Sequence, residues 1–212
     1  MPCPIRVLLA DDHPIMRSGL RHELEPTGDL VVVAEVSLVG DILPAVAQEA
    51  PDVAVIGVEF PDGNGIMACR HIRAQSPQTP VLIFTALDED EYLCQAWAAD
   101  ASGYLVKGTE PEALIAAIRC VGSGQQTYTP EQLERIQRWQ DTVQKPLRSL
   151  TRREKEVLKL MAERLTNREI ARHLGVSLKA VEFHVRGVRQ KLHLCDRREV
   201  SVWADHIRLL EE

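Results

Sequence analysis

The sequence predicts an α/β fold: a doubly wound, five-stranded parallel sheet followed by a small all-α helix-turn-helix domain. In residues 1–122, five short apolar runs alternate with amphipathic stretches, a pattern typical of a parallel sheet covered by helices on both faces. From residue 150 onward every pattern is helical, and a short helix, a glycine turn and a longer basic helix follow one another. These observations predict two domains of different architecture.

The first half of the chain supplies the predicted sheet. The strands are Ile5–Ala10, Leu30–Val36, Val53–Ile56, Val81–Thr85 and Gly103–Val106, and the helices lie near 14–24, 40–50, 65–75, 88–100 and 110–121. In an open parallel sheet the ligand or reaction site lies at the carboxyl ends of the strands. We therefore expect the functional side chains to follow directly after these runs.

A linker is predicted between the halves, with a first domain of residues 1–122, a linker of residues 123–147 and a second domain of residues 148–212. Residues 122–130 are polar and rich in turn-forming residues. Glu131–Val143 has the composition of a polar helix that carries Trp139. Lys145-Pro146 then predicts a break before the second domain.

Local sequence signals mark the helices of the second domain. Thr151-Arg-Arg-Glu154 and Thr166-Asn-Arg-Glu169 both match the capping box, in which the hydroxyl and the carboxylate each satisfy a free backbone N–H. A short helix over about 167–174 meets Gly175, which suits a left-handed helix end, and Ser177 suits the next helix start. The inner face of that next helix holds Leu178, Val181, Val185, Val188 and Leu192, and its outer face holds Lys179, Glu182, Phe183, Arg186, Arg189 and Gln190.

Charge is divided unevenly along the chain. The formal net charge is −6 in total, −11 in residues 1–122, zero in residues 123–147 and +5 in residues 148–212. An acidic first half joined to a basic second half indicates that only the second half meets a polyanion such as DNA.

Cysteine spacing and hydropathy narrow the class of protein. The five cysteines are widely spaced and form no C-x-x-C pair, so we expect reduced thiols rather than disulfides or a zinc site. No run reaches the roughly 18 apolar residues that span a bilayer, and the N-terminus lacks the layout of a secretory signal. We therefore expect a cytoplasmic protein with no membrane partner and no cofactor.

Six motifs, in the right order and over nearly the whole chain, resemble the NarL/FixJ family of response regulators. In the first half they are Val7-Leu-Leu-Ala-Asp-Asp-His-Pro14, Val81-Leu-Ile-Phe-Thr-Ala86 and Ala101-Ser-Gly-Tyr-Leu-Val-Lys107. In the second half they are Leu150-Thr-Arg-Arg-Glu-Lys-Glu-Val-Leu158, Asn167-Arg-Glu-Ile-Ala171 and Ala180-Val-Glu-Phe-His-Val185. The resemblance implies a flavodoxin-like receiver domain of the CheY type followed by a LuxR-type helix-turn-helix.

The resemblance also implies a receiver pocket of Asp11, Asp12, Thr85, Tyr104 and Lys107. In typical relatives the acidic pair helps to hold Mg²⁺, and the threonine and lysine contact phosphoryl oxygens. The residues themselves leave alternatives open. Lys107 could simply neutralise the Asp11/Asp12 pair, and Thr85 and Tyr104 could be a strand-end hydroxyl and a packed ring. Asp11 and Asp12 are thus the candidate metal ligands, and no catalytic residue is predicted.

The sequence departs from the family pattern at the phosphate acceptor. Typical receivers end the third strand with an aspartate, whereas Pro51-Asp-Val-Ala-Val-Ile-Gly57 ends with glycine. Glycine has no side chain and cannot act as a nucleophile. Rescue by Glu59 and an engineered loss of the aspartate are the alternatives to a natural variant. We predict a receiver that is not switched by phosphorylation, and control by constitutive dimerisation, by a ligand or protein at the receiver, or by protein abundance.

For the second half, the resemblance implies a DNA-binding helix. Its candidate contacts are Lys179, Glu182, Phe183, Arg186, Arg189 and Lys191. Basic side chains supply salt-dependent phosphate contacts. Arginine can pair with guanine, glutamate can accept from cytosine, and a phenyl ring can touch a thymine methyl. The alternatives are a solvated position for Glu182 and helix packing for Phe183. Gly187, which costs about 1 kcal/mol relative to alanine in mid-helix, predicts a close approach to the DNA backbone.

A final helix over about 197–210 carries Trp203 and is expected to form part of a homodimer interface, to pack in the core, or both. A dimer matches an inverted-repeat operator with half-sites about one helical turn apart. RNA polymerase is a further candidate partner. Two other functions remain open: an adaptor that pairs with another regulator, favoured by Glu182 and the acidic first half, and a phosphatase-like enzyme using Asp11. The enzyme is disfavoured because the loop lacks a D-x-D pattern, and we predict a protein that is not an enzyme.

Overall fold

The structure is a computed structural model that describes residues 3–192 together with Leu194 and Glu199. The chain divides into two compact units, Met1–Ile136 and Gln137–Glu212. Apart from Glu199, the predicted last helix over 197–210, with Trp203, lies outside the described residues.

The first unit is built on a five-stranded parallel sheet, as predicted. Its strands are β1 (Ile5–Ala10), β2 (Leu30–Val36), β3 (Val53–Ile56), β6 (Val81–Thr85) and β7 (Gly103–Val106), in the spatial order β2-β1-β3-β6-β7. A two-stranded hairpin of β4 (Glu59–Phe60) and β5 (Gly63–Asn64) interrupts the series. The helices are α1 (Pro14–Leu24), α2 (Val39–Glu49), α3 (Gly65–Gln75), α4 (Asp90–Ala98) and α5 (Pro111–Gly122), with a short 3₁₀ turn at Glu25–Thr27. All five predicted strands and the doubly wound fold are confirmed.

The order of the strands determines where along the carboxyl edge of this sheet a ligand can bind. The central strands β3 and β6 are buried along their whole length, as expected where helices cover both faces. The chain leaves β1 for β2 on one side and crosses back to β3 on the other, so the order reverses between β1 and β3. Ligands of open α/β sheets bind in the crevice at such a point. The carboxyl ends of β1 and β3 therefore frame the candidate pocket.

The residues after α5 pack along β7, which is an edge strand of the sheet. The amide of Thr127 donates to the carbonyl of Ser102 at 2.9 Å. A side chain at Gly103 would bring its Cβ within 1.9 Å of Thr127 Oγ1, so glycine is required at this close approach. The Tyr128 ring stacks edge-on against Trp97 with centroids 4.9 Å apart. The segment thus covers an edge that would otherwise expose unpaired backbone groups.

Helix α6 (Pro130–Trp139) follows, and the division between the two units falls within it. The predicted break at Lys145-Pro146 is wrong. A π-helical stretch, Gln140–Gln144, leads into α7 (Lys145–Ser149), where Pro146 stands in the first turn. Proline is tolerated there because a first-turn residue has no need of its own N–H.

The second unit continues with α8 (Arg152–Ala162), α9 (Asn167–Leu174) and α10 (Leu178–Lys191). Both predicted capping boxes are present, at Thr151 with Glu154 and at Thr166 with Glu169. Gly175 ends α9 with a φ of +64°, and the Ser177 side chain accepts from the amide of Ala180. These local signals predicted the helix boundaries correctly because each satisfies backbone groups of its own segment.

A single apolar cluster holds α8, α9 and α10 together. Val157, Met161, Ile170, Val181 and Val188 form its centre and are fully buried. Leu178 was predicted on the inner face of α10 but is 38% exposed. It is the first residue of the helix, where the chain has only begun to enter the packed region.

Candidate functional site

The predicted pocket residues meet at the carboxyl edge of the first unit's sheet. Asp11 directly follows β1, Gly57 follows β3, Thr85 ends β6 and Lys107 follows β7. Strand register brings the last two together, since Thr85 pairs with Val106 and the amide of Lys107 donates to the carbonyl of Thr85 at 2.6 Å. Residues from four strands therefore converge although they are spread over about half the chain.

Asp11 is the buried acid of this pocket and is fully provided with partners. Its side chain is 4% exposed, and Lys107 Nζ lies 2.6 Å from Oδ2. The amide of His13 donates to Oδ1 at 2.9 Å. A buried carboxylate is tolerated only when it is paired and hydrogen-bonded in this way. Lys107 therefore places a positive charge on Oδ2, the Asp11 oxygen that also lies beside Gly57.

Asp12 and His13 form a second pair at the more exposed mouth of the pocket. His13 Nδ1 lies 2.6 Å from Asp12 Oδ1 and 3.4 Å from Asp11 Oδ1. Ligand atoms of Asp11, Asp12 and His13 lie within 4.8 Å of one another, a separation compatible with a metal ion. Mg²⁺ prefers an octahedral set of oxygen ligands. These residues do not fit it, because the third donor is an imidazole, Lys107 is bonded to Asp11, and Gly57 offers no carboxylate.

Gly57, which the resemblance to typical receivers predicts at the acceptor position, directly follows β3. Its amide donates to the carbonyl of Ala10 at 2.8 Å. A Cβ built on Gly57 would lie 3.2 Å from Asp11 Oδ2 and 3.6 Å from the carbonyl oxygen of Ala10. The position therefore points at the acidic pocket, but it has no group that could accept a phosphoryl group.

A second glycine, Gly65, packs directly against the backbone of Gly57. A Cβ on Gly65 would lie 1.8 Å from the carbonyl oxygen of Gly57, an impossible distance. The amide of Gly65 donates to the carbonyl of Val58 at 2.8 Å. The first turn of α3 thus sits directly on the end of β3 and holds it in place.

Thr85 and Tyr104 are both buried, and both bond to Leu87 in the loop after β6. The amide of Leu87 donates to Thr85 Oγ1 at 3.3 Å, and the Tyr104 hydroxyl donates to the carbonyl of Leu87 at 2.7 Å. Burial raises the pKa of Tyr104 well above its usual range, so its hydroxyl remains a donor. One residue of the loop therefore joins the strand-end hydroxyl to the aromatic ring.

The candidate nucleic-acid interface lies on α10. Lys179, Glu182, Phe183 and Arg186 are exposed on its outer face, as predicted from their spacing. Phe183 is 70% exposed, and within the described chain it contacts the ring of His184 edge-on, with centroids 5.6 Å apart. The alternative that Phe183 packs against a neighbouring helix is therefore not supported. Glu182 forms no ion pair with any residue between 3 and 192.

Two of the predicted contacts are placed differently. Arg189 is only half-exposed, and Lys191 Nζ lies 2.6 Å from Glu154 Oε2 and 3.2 Å from the carbonyl oxygen of Ser149. Lys191 thus ties the end of α10 to the start of α8. Gly187 also has a structural reason within the fold, since a Cβ there would lie 2.4 Å from Glu154 Oε1. The predicted approach of Gly187 to a DNA backbone is not needed to explain the glycine.

Several residues with polar roles were not recognised in the sequence. His13 and Arg17 bond to Asp11, one through its amide and the other through its guanidinium to the backbone carbonyl. Gln132 caps α6 together with Thr129, and the motif Thr129-Pro-Glu-Gln132 is a capping-box signal that could have been found. Glu154 and Leu87 carry no sequence signal for their long-range contacts.

Comparison with known proteins agrees with this arrangement. Residues 7–119 match the response regulator receiver domain, and residues 148–204 match the bacterial regulatory proteins of the luxR family. The uncharacterized transcriptional regulatory protein YxjL of Bacillus subtilis is 38% identical over 94% of each chain. The nitrate/nitrite response regulator NarL of Escherichia coli K12 is 30% identical over 97% of each chain.

A solved structure of a two-component response regulator RcsB–DNA complex is similar to this chain. Its TM-score is 0.66 and its identity 25%, over 96% of this chain and 99% of the other. A receiver followed by a LuxR-type helix-turn-helix is the domain pairing of a transcriptional response regulator. The chain belongs to the NarL/FixJ family of these regulators.

Two further observations concern the chain as a whole. Among the described residues, no helix is long and apolar enough to cross a bilayer. Cys3, Cys69, Cys94 and Cys120 are free thiols, and burial raises the pKa of both Cys69 and Cys94 to about 12. These two thiols therefore stay protonated and unreactive.

Proposed function

We propose that this chain is a DNA-binding transcription regulator whose receiver is not switched by aspartate phosphorylation. The observation that carries the proposal is Gly57 at the carboxyl end of β3, beside the same Asp11 oxygen that Lys107 contacts. Formation of an acyl phosphate needs a carboxylate at that point.

Neighbouring acids do not replace the missing acceptor. Asp52 stands at the opposite end of β3, where its carboxylate accepts from the amide of Arg6 at 2.8 Å. Glu59 is exposed in the hairpin strand β4, beyond the pocket edge. Neither side chain starts from the backbone position that faces Asp11.

The pocket supports a structural role for Lys107. Its 2.6 Å contact with Asp11 neutralises a carboxylate that would otherwise be buried next to Asp12. In a typical relative a cation would balance the acidic pair and a phosphoryl group would balance the lysine. Here Asp11 and Lys107 balance one another. The activity of this regulator would then be set by dimerisation, by a receiver ligand or partner, or by abundance.

The DNA-binding part of the proposal rests on the outer face of α10. Phe183 is 70% exposed between the exposed cations Lys179 and Arg186, so one partner on this face would contact the ring and both charges. Lysine and arginine supply the phosphate contacts, and Arg186 with Phe183 can read guanine and a thymine methyl. The RcsB–DNA complex is similar to this chain and supports the same use of the domain.

We further propose a homodimer on an inverted-repeat operator, with RNA polymerase as a partner of the bound dimer. The RcsB of a second solved structure binds DNA as dimers, which supports the stoichiometry. Two-fold symmetry of the protein would match a two-fold symmetric operator with half-sites about one helical turn apart.

The DNA proposal can be tested by fluorescence anisotropy with a labelled duplex from the region upstream of the chain's own gene. We expect binding to weaken steeply between about 50 and 200 mM salt. Lys179→Ala should lower the affinity and reduce the salt slope by about one. Lys155→Ala is the matched control, since it removes one exposed positive charge from α8 instead.

Binding without a salt slope, or equal losses in the two variants, would contradict the proposed interface. The alternative function, an adaptor that pairs with another regulator, is favoured by the acidic, exposed Glu182 on the same face. An adaptor would show no salt-dependent DNA binding by itself, and would acquire it only when mixed with its partner regulator.

The receiver proposal is tested separately by intact-mass spectrometry after incubation with acetyl phosphate and Mg²⁺. We expect the unmodified mass alone. A phosphoryl adduct that hydroxylamine removes would show that another carboxylate accepts the group and would refute this part of the proposal.

A further inference from the structure

The loop after β6 joins the pocket to the aromatic residue of β7. Leu87 donates its amide to Thr85 Oγ1 at 3.3 Å and accepts the Tyr104 hydroxyl on its carbonyl at 2.7 Å. Thr85 and Tyr104 are buried, so both anchors of the loop are rigid. A shift at the end of β6 must therefore move Leu87 or break one of these bonds.

Asp88 of the same loop and Asp90, the first residue of α4, are held by α6. Arg135 Nη1 lies 2.8 Å from Asp88 Oδ1, and Arg135 Nε lies 2.6 Å from Asp90 Oδ1. The guanidinium also donates to the backbone carbonyl of Asp88. Three charge-assisted contacts to one arginine give both strength and a defined geometry.

A second side chain of α6 binds β7 itself. Gln132 Nε2 donates to the carbonyl of Tyr104 at 2.9 Å, while its Oε1 accepts from the amide of Thr129. Gln132 and Arg135 are three residues apart and so share one face of the helix. The helix that leads out of the first unit is thus fastened to Tyr104 at one point and to the loop at another.

Four consecutive acids make the contacts with α6 depend on the positive charge of Arg135. Asp88-Glu-Asp-Glu91 is a run of four acids, and Arg135 is the cation that bonds to two of them. Asp88 and Arg135 are 66% and 27% exposed, so the contact is partly shielded from water. Without the guanidinium, mutual repulsion among the acids would favour an open loop.

We propose that Gln132 and Arg135 form a linker latch, which couples the loop after β6, and through Leu87 the receiver pocket, to α6. A ligand or partner that displaces Leu87 releases the acids from Arg135 and loosens the start of α6. The latch transmits a conformational change from the receiver pocket to α6 and needs no phosphate acceptor in that pocket. It does not depend on the proposed DNA binding.

Hydrogen exchange with mass spectrometry on the full chain tests the latch. Arg135→Ala should raise the exchange rate about tenfold or more both in the loop 86–91 and in residues 126–136, because one residue holds both segments. Arg138→Ala is the matched control, an exposed arginine on the same helix. Its exchange in the two segments should stay at the wild-type rate.

The coupling itself is tested with Tyr104→Phe, which keeps the ring and removes only the bond to Leu87. We expect faster exchange in residues 130–136, although the hydroxyl does not touch them. In the Arg135→Ala background, Tyr104→Phe should add little there, because the connection is already broken. Unchanged linker exchange in Tyr104→Phe, or fully additive effects, would overturn the proposal.

Discussion

The carboxylate of Glu154 on α8 occupies the space beside Gly187 on α10 in which any larger residue would need its Cβ. The distance from that Cβ to Glu154 Oε1 would be 2.4 Å. Glu154 cannot easily move away, because its other oxygen accepts from the amide of Thr151 and from Lys191, at 2.7 and 2.6 Å. Glycine weakens α10, but its missing side chain leaves the space that the Glu154 carboxylate occupies. Glu154 can therefore form both its capping box with Thr151 and its ion pair with Lys191.

This relationship predicts that Gly187→Ala is destabilising even though alanine is the better helix former. The added methyl must displace Glu154 and so break its bonds, which we expect to cost about 1–3 kcal/mol of unfolding free energy. Gly19→Ala in α1 is the control, since a Cβ there meets nothing within 4 Å. It should instead stabilise the chain by up to about 1 kcal/mol. Denaturant unfolding followed by circular dichroism measures both, and a stabilised Gly187→Ala variant would refute the packing argument.

The same carboxylate predicts an acid-sensitive second unit. Burial raises the pKa of Glu154, but the bonds from Lys191 and Thr151 outweigh it, and the net pKa lies below its ordinary value of 4.5. A group with a lowered pKa in the folded state stabilises fully above its unfolded pKa and loses that contribution as the pH falls through the folded pKa.

We therefore expect Glu154→Gln to be less stable than the wild type at neutral pH, with a difference that narrows as the pH falls below about 5 and through the lowered pKa of the folded state. Urea unfolding at several pH values provides the measurement. Glu163→Gln, an exposed acid that caps the C-terminus of α8, serves as the control and should show no such convergence. A constant difference across the pH range would mean that Glu154 does not titrate with folding.

Gly57→Asp should restore the ability to accept a phosphoryl group. The new Cβ would lie 3.2 Å from Asp11 Oδ2, so the Asp11 carboxylate must shift by a few tenths of an ångström. A third carboxylate adds repulsion that the single charge of Lys107 does not neutralise, and so the variant should be less stable than the wild type until Mg²⁺ is added. We expect one phosphoryl adduct by mass spectrometry and a melting temperature that rises with Mg²⁺.

Gly57→Ala is the matched control for this variant, because it adds the same Cβ without an acceptor. It should show neither the adduct nor the Mg²⁺ dependence. If Gly57→Asp remains unmodified in acetyl phosphate, the rest of the pocket no longer supports the transfer, and the loss extends beyond one residue.

Glu182 should act as a base-selective residue if α10 enters the major groove. A carboxylate is repelled by phosphates but can accept from cytosine N4, whereas glutamine pairs with adenine. When bound sites are selected from a random DNA pool and aligned, one position should therefore favour cytosine for the wild type. The same position should favour adenine for Glu182→Gln. Glu182→Ala should lose the preference, by about 1–3 kcal/mol at that base pair. The same enriched motif from all three proteins would show that Glu182 is only a solvated surface residue.

Much of this protein could be predicted from local patterns. The apolar runs predicted all five strands, and Thr151, Thr166, Gly175 and Ser177 marked the helix boundaries correctly. These signals succeed because each satisfies the backbone of its own segment or the period of its own element. The lack of a side chain at Gly57 is likewise a property of the sequence alone, since no fold can supply a carboxylate to glycine.

Only the tertiary structure decided what the long-range polar residues do. Lys191 bonds to Glu154, which is 37 positions away, and Arg135 bonds to Asp88, which is 47 positions away. Gly187 was expected near DNA, yet its space is filled by Glu154. Sequence spacing along one helix or strand determines which face a residue occupies, but the partner on that face comes from the packing of distant elements. Contacts of this kind leave no periodic trace in the sequence, and so the ion pair of Lys191 with Glu154 and the contacts of Arg135 are visible only in the folded chain.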